Sequence, residues 1–192
     1  MTTTEAETSR AADRRAPRDR ILAAAAGLFY REGINATGVE LIADTAGVSK
    51  RTLYKYFPSK THLVDQYLTY VREKVVDPRT VDGDDPRERL LALFAVSGPV
   101  AGRLRGCPFH NAAVEAASAM PEVTEHVQAE KRAFAEAVVE LCRACGVEDP
   151  RRLGRQIALL YEGAAALSTS LDDAEPWAVA RATAETLVDR AG

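Results

Sequence analysis

Residues 37–60, TGVELIADTAGVSKRTLYKYFPSK, contain two short amphipathic helical patterns separated by a glycine. Apolar residues in the first half recur at the spacing of one helix face, and Gly47 then favours a helix end. Ser49 is a good N-cap for a second helix, in which Leu53 and Phe57 lie four positions apart and face the first helix. The stretch therefore predicts two packed helices joined by a turn of about three residues.

The outward face of the second predicted helix is basic and rich in hydrogen-bond donors. It carries Lys50, Arg51, Thr52, Lys55 and Tyr56, and no acidic residue occurs between Asp44 and Asp65. Such a face suits DNA phosphates, so the pattern predicts a DNA-binding helix-turn-helix. An ordinary helical hairpin with a solvated basic face is the alternative interpretation.

The start of the first predicted helix has a local signature of its own. Thr37 can accept from a free backbone N–H of the first turn, and Glu40 follows three positions later as in a capping box. We expect this helix to begin near Gly38.

The segment AGVSKRTLYKYFPSK, with REGINATGVELIA before it, resembles the DNA-binding domain of the tetracycline-repressor (TetR) family over roughly residues 18–68. The resemblance implies base contacts from the start of the second helix and phosphate contacts around it, with Lys55 on the same predicted surface. It places Lys50, Arg51 and Thr52 near bases, and Thr37, Ser49, Tyr54, Tyr56 and Lys60 on the DNA backbone. Lysine and arginine can both bond guanine O6 and N7.

Composition and charge are those of a globular chain with two unlike parts. Of the 192 residues, 46% are hydrophobic and 28% are charged, which is enough to bury a core. Residues 1–62 hold 10 basic and 7 acidic groups, whereas residues 63–192 hold 15 and 21, so the N-terminal part suits a polyanion better. No apolar run approaches the ~20 residues of a membrane span, and we expect a cytoplasmic protein without membrane contact.

Helical periodicity runs through the chain, and no strand pattern or repeat interrupts it. We predict an all-α fold, with a three-helix DNA-binding domain at 17–60 and an effector-binding and dimerisation domain at 61–192. A long helix from about Ser59 to Val76 should join them. Residues 1–16 read as a mobile arm; its arginines at 10, 14 and 15 could touch phosphates, although a solvated tail is favoured.

Two C-terminal helical patterns predict a homodimer. From Ile157 to Leu167 nearly all sides of one helix are apolar or small, so a second surface must cover it. With the last helix this predicts a four-helix interface, as the resemblance also implies, and a dimer would read a palindromic operator. The predicted interface residues are Leu153, Ile157, Leu160, Ala164, Leu167, Leu171, Trp177, Ala184 and Leu187.

The resemblance further implies a small-molecule effector held among the C-terminal helices. Aromatic residues from different helices could line one cavity, with a few polar groups among them, although each aromatic residue could equally be core. The candidates are Tyr67, Tyr70, Phe94, Phe109, His110, Asn111, Glu115, Phe134, Tyr161 and Glu162. Because a carboxylate among alanines needs a partner, Glu115 and Glu162 should each bind either a ligand or an arginine, Arg103 or Arg105.

Catalytic and cofactor motifs are absent from the sequence, which has no Gly-x-Ser-x-Gly, phosphate loop, dinucleotide fingerprint or His-Glu-x-x-His. We therefore expect no enzyme activity, cofactor or metal. The resemblance implies a repressor released from its operator by a ligand; an activator with the same DNA-binding domain is an alternative. The Cys142-x-x-Cys145 pair favours buried thiols over a metal or redox site. Cys107, at a predicted helix start, leaves a redox-responsive regulator as a further alternative.

Overall fold

The computed structural model describes residues 16–75, 77–78, 80–95, 105–116 and 119–191, and the regular elements in these ranges are all helices. The predicted all-α class is therefore confirmed, while the three arginines of the predicted arm lie outside the described residues. The helices are α1 Pro17–Glu32, α2 Val39–Thr45, α3 Lys50–Tyr56, α4 Lys60–Arg72, α5 Pro86–Ala92, α6 Pro108–Ala116, α7 Pro121–Ala144, α8 Pro150–Leu171 and α9 Glu175–Asp189.

Several helices begin where local chemistry predicts. Asp85 accepts a hydrogen bond of 2.9 Å from the backbone N–H of Arg87, and Asp149 accepts one of 2.9 Å from that of Arg152. In both cases a proline follows the aspartate, where its missing N–H costs no hydrogen bond. Helix α4 is shorter than predicted: it ends at Arg72, whereas the sequence predicts an end near Val76.

The first compact unit comprises residues up to 72 together with 112–124. Helix α1 packs on α2, α3 and α4, and it buries Ile21, Ala25 and Phe29. The rings of Phe29 and Tyr67 meet edge to face with centroids 5.4 Å apart. This grouping differs from the division predicted at residue 60, because α4 packs with the N-terminal helices through its own buried face.

The second compact unit comprises residues 73–111 and 125–192, with a core built from α5, α7, α8 and α9. Tyr161 lies at its centre, with its ring centroid 4.7 Å from that of Phe134 and 5.1 Å from that of Trp177. Burial raises the pKa of the Tyr161 phenol well above its usual value, so the residue is neutral at physiological pH. Within the described ranges, no helix is both long enough and apolar enough to cross a membrane.

Candidate nucleic-acid interface

The turn between α2 and α3 is held by backbone hydrogen bonds and by a glycine. The N–H of Val48 donates to the carbonyl of Ala43 at 3.0 Å, and Gly47 adopts a φ of +63°, which side-chain-bearing residues rarely adopt. On either side of the turn, Ile42 and Leu53 are fully buried. The predicted helix-turn-helix packing is therefore present, and it fixes α3 against the rest of the unit.

Helix α3 is capped as the sequence predicts. The Ser49 hydroxyl oxygen accepts from the backbone N–H of Thr52 at 3.1 Å, and its Oγ lies 2.8 Å from Thr52 Oγ1. A satisfied cap gives a seven-residue helix a defined first turn. The exposed N-terminal end of α3 is thereby held in place, together with the side chains that it presents.

The predicted DNA-contacting side chains on α3 form one solvent-facing surface. Lys50, Arg51, Tyr54 and Lys55 are exposed, and Thr52 and Tyr56 are half-buried. Lys60, the first residue of α4, is half-buried, and burial lowers the pKa of its ammonium while the nearby carboxylate of Glu115 opposes that shift. All of these side chains can donate hydrogen bonds, so the surface can bind phosphate oxygens and base acceptors.

The structure corrects the prediction for Thr37. Its side chain is fully buried, and its hydroxyl donates to the carbonyl of Gly33 at 2.7 Å, so it does not reach the surface. The N-cap of α2 is Gly38, with no side-chain cap, and Glu40 forms an ion pair with Lys50 instead of completing a capping box. The hydroxyl thus bonds backward to the C-cap residue of α1 instead of capping α2.

Glu115 braces the turn that leads into this surface. One of its carboxylate oxygens accepts from the backbone N–H of Asn35 at 2.9 Å, and its backbone carbonyl accepts from the Asn35 amide at 3.0 Å. Gly33, at φ +98°, lies so close that an added Cβ would stand 2.9 Å from the same carboxylate. The sequence predicts a ligand or an arginine as the partner of Glu115; the structure shows that this carboxylate also binds a backbone N–H 80 positions away.

Comparison with known proteins agrees with this geometry. The family model for bacterial regulatory proteins of the tetR family matches residues 21–67. The crystal structure of a TetR-type transcriptional regulator from Streptomyces avermitilis is 31% identical, with 92% of this chain and 98% of that chain covered and a TM-score of 0.75. The chain belongs to the TetR family.

Two characterised relatives match the N-terminal part of this TetR-family chain. The transcriptional repressor KstR2 of Mycobacterium tuberculosis is 36% identical over 86 residues, which is 42% of this chain and 42% of that protein. The transcriptional activator FasR of Mycolicibacterium smegmatis is 40% identical over 90 residues, 41% of this chain and 39% of that protein. Less than half the length of each of these relatives is thus matched.

The C-terminal helices of this TetR-family protein leave a second surface open. Helices α8 and α9 enclose a groove of about 370 Å³, lined by Leu159, Leu160, Gly163, Ala164, Leu167, Glu175, Pro176, Val179, Ala180 and Thr183. Leu159 is 75% exposed, Leu167 54% and Val179 58%. Large apolar side chains at such exposure are typical of an interaction surface.

The residues predicted to form the dimer interface differ in their burial within the single chain. Leu153, Ile157, Ala164 and Ala184 are buried in its core, and Ala164 also lines the groove together with Leu160 and Leu167. Of the other five, Leu160, Trp177 and Leu187 are half-buried, whereas Leu167 and Leu171 are exposed. Helix α8 carries two apolar faces, as its composition indicates, and the predicted set takes residues from both. It omits Leu159, which lies on the outer face.

The ten residues predicted to line an effector pocket are divided between the two compact units. Tyr67 is core of the first unit, which also contains Tyr70 and Glu115, while the other seven belong to the second. There, Phe94, Phe134 and Tyr161 pack as a core cluster, and Phe109 is buried against His126. His110 is exposed, and the amide of Asn111 donates to the carbonyl of Arg105 at 2.7 Å.

The remaining polar candidate, Glu162, belongs to a small cluster with a cysteine. Its carboxylate forms an ion pair with Lys131, whose ammonium lies 3.5 Å from the Cys107 sulfur. By contrast, Cys142 is buried, and burial raises the pKa of its thiol to about 12. Among the described residues, no group of three or more histidine, cysteine, aspartate or glutamate side chains could hold a metal ion.

Proposed function

We propose that this TetR-family protein is a homodimeric, DNA-binding transcriptional regulator that reads DNA through α3. The observation that carries the proposal is the capped α3 helix, packed through the fully buried Leu53 with its cationic face exposed. Lys50, Arg51 and Thr52 would contact base edges. Ser49, Tyr54, Lys55, Tyr56 and Lys60 would hold phosphates and so fix the register of the helix in the major groove.

Dimerisation would supply the second copy of α3. A helix of seven residues is only about 10 Å long and reaches a few base pairs. The groove between α8 and α9 is apolar, and pairing two copies across it would bury Leu159, Leu167 and Val179. Two recognition helices roughly 34 Å apart would then read a palindromic operator.

Regulation by a small molecule is the second part of the proposal. An effector that binds better to dimers whose recognition helices are wrongly spaced would shift the population away from the DNA-binding form. The regulator would then act as a repressor released by its ligand, as the name of KstR2 indicates repression for that relative. Linkage requires operator DNA to weaken effector binding by the same factor.

Selection of bound fragments from random or genomic duplex DNA tests the proposal. We expect a palindromic sequence whose affinity exceeds that of a scrambled duplex by ~10³ or more at fixed salt. Equal affinity for both duplexes would leave only nonspecific binding and would overturn it. A reporter behind the selected operator then separates repression from activation, the role that the name of FasR gives for that relative.

A second candidate input is oxidation of Cys107, whose half-buried sulfur lies 3.5 Å from the Lys131 ammonium. Glu162 forms an ion pair with the same ammonium. We rank ligand release first. If peroxide leaves operator binding intact in both the wild type and Cys107→Ser, the redox input is excluded.

A further inference from the structure

Glu40 and Lys50 form an ion pair that joins the two helices of the helix-turn-helix on its exposed side. Glu40 is the second residue of α2, and Lys50 is the first residue of α3. Their side chains remain 64% and 51% exposed, respectively. The pair therefore lies within the proposed DNA-reading surface and is open to any ligand that approaches it.

The ion pair between Glu40 and Lys50 contributes little to holding the two helices together. Exposed ion pairs contribute little to stability, because water screens them and both side chains lose freedom. The two helices are already held by the buried side chains of Ile42 and Leu53 and by the Gly47 turn. The pair has a larger electrostatic consequence, because Lys50 is one of three cations on α3, with Arg51 and Lys55.

Both members of the pair carry their charges at neutral pH. The hydrogen bond from Lys50 lowers the pKa of the Glu40 carboxyl, and the same bond raises the pKa of the Lys50 ammonium. The surface that would meet DNA therefore carries one fixed negative charge beside one of its cations.

We propose that Glu40 is a specificity-determining residue that acts through Lys50, an inference that rests on the proposed DNA binding. A phosphate would compete with Glu40 for Lys50 and would be repelled by the carboxylate, so the pair weakens contacts to any DNA backbone. Guanine presents neutral acceptors, O6 and N7. Because the ammonium has three N–H donors, Lys50 can bond guanine and keep its bond to Glu40. The pair thus disfavours nonspecific binding more than operator binding.

Glu40→Gln tests this inference, since it removes the charge and keeps the shape and an acceptor oxygen. Affinity is measured against the selected operator and a scrambled duplex of equal length over a range of salt concentrations. Freeing one cation should steepen the salt slope on the scrambled duplex by about one unit and raise its affinity roughly eightfold at 0.1 M salt. Operator affinity should rise less, so the ratio of the two affinities should fall severalfold.

Two matched variants separate this role from a simple change of charge. Asp44→Asn removes an acid one turn further along α2 and should change both duplex affinities by the same small factor. In a Lys50→Ala background, Glu40→Gln should no longer lower the affinity ratio, because the partner is gone. Circular dichroism melts of each variant should match the wild type, since the altered side chains are exposed.

Three results would overturn the inference. The first is that Glu40→Gln leaves the ratio of operator affinity to scrambled-duplex affinity unchanged. The second is that Asp44→Asn lowers this ratio by the same factor as Glu40→Gln. The third is that Glu40→Gln still lowers the ratio in the Lys50→Ala background. Failure of the proposed function gives a different result, because the wild type would then show no preference for any duplex. If the wild type prefers its operator and Glu40→Gln leaves the affinity ratio unchanged, only the role of Glu40 is overturned.

Discussion

The backbone N–H of Asn35 donates a 2.9 Å hydrogen bond to the carboxylate of Glu115, 80 positions later in the chain. The bond ties α6 to the turn between α1 and α2, which leads directly into the helix-turn-helix. The fully buried Thr37 hydroxyl closes the same turn from the other side, through the carbonyl of Gly33. The orientation of the proposed recognition helix therefore depends on a residue far from it in sequence.

Replacing Glu115 tests this dependence. We expect Glu115→Ala to lower the free energy of unfolding of the first unit by about 1–3 kcal/mol, because a backbone N–H loses a charged acceptor. Operator affinity should fall with it. Glu115→Gln keeps an acceptor oxygen and should lose less, and Glu125→Ala, an exposed residue of α7, is the control. Denaturant titration measures the free energy of unfolding, and a DNA-binding assay measures operator affinity. Equal changes in Glu115→Ala and Glu125→Ala would contradict the prediction.

Lys60 and Arg51 should differ in how their replacement affects DNA binding. Lys60→Ala is expected to weaken binding to all sequences and to reduce the salt slope by about one unit, as removal of a single phosphate-binding cation does. Arg51→Ala should in addition relax the preference for one base pair. Binding to the operator and to its single-base variants distinguishes them, and a uniform effect from both would mean that the base and phosphate assignments are wrong.

A charge introduced into the groove between α8 and α9 should disrupt the proposed dimer. Leu167→Glu should shift the protein from dimer to monomer in sedimentation experiments, because the carboxylate would lose its water in the interface. Operator affinity should fall, since a monomer binds only one half-site. Gln128→Glu adds the same charge at an exposed position of α7 and should leave the dimer intact. A Leu167→Glu protein that remains dimeric would place the interface elsewhere.

Gly154 is expected to be intolerant of any side chain. A Cβ there would lie 2.6 Å from Val139 Cγ2 and 2.8 Å from Val139 Cα, so α7 and α8 would have to separate. We expect Gly154→Ala to destabilise the second unit by about 1–3 kcal/mol, as overpacking usually does. At Gly27 of α1 the nearest atom is the flexible end of Arg31, and Gly27→Ala should be neutral or stabilising. Thermal melts compare the two variants.

The thiols should react in an order set by burial. Burial raises the pKa of Cys142 to about 12 and also raises that of Cys145, so at pH 8 both carry less thiolate than a free cysteine. The raised pKa of Cys142 also means that its protonated thiol favours the folded state below pH ~9 and that this contribution is lost as pH rises toward 12. Mass spectrometry of the native protein after brief alkylation should find Cys107 labelled before Cys142; the reverse order would contradict the burial argument.

The sequence alone determined the features that depend on neighbouring residues. The Ser49 cap and the Gly47 turn follow from bonds within a few positions, and the sequence predicts both where they occur. The helix starts at Asp85 and Asp149 rest on bonds that are equally local. The basic face of α3 is likewise a local pattern. For this reason the fold class and the position of the proposed recognition helix could be predicted without a structure.

Only the tertiary structure decided which residue meets which across long separations. Periodicity shows that α8 has more apolar surface than one face needs, but it does not show that Ile157 faces the core while Leu159 faces out. It also cannot pair Glu115 with the backbone N–H of Asn35, or Glu40 with Lys50 instead of a helix cap. These partners are chosen by how the helices pack, because a side chain bonds the nearest free group in space, whatever its distance along the chain.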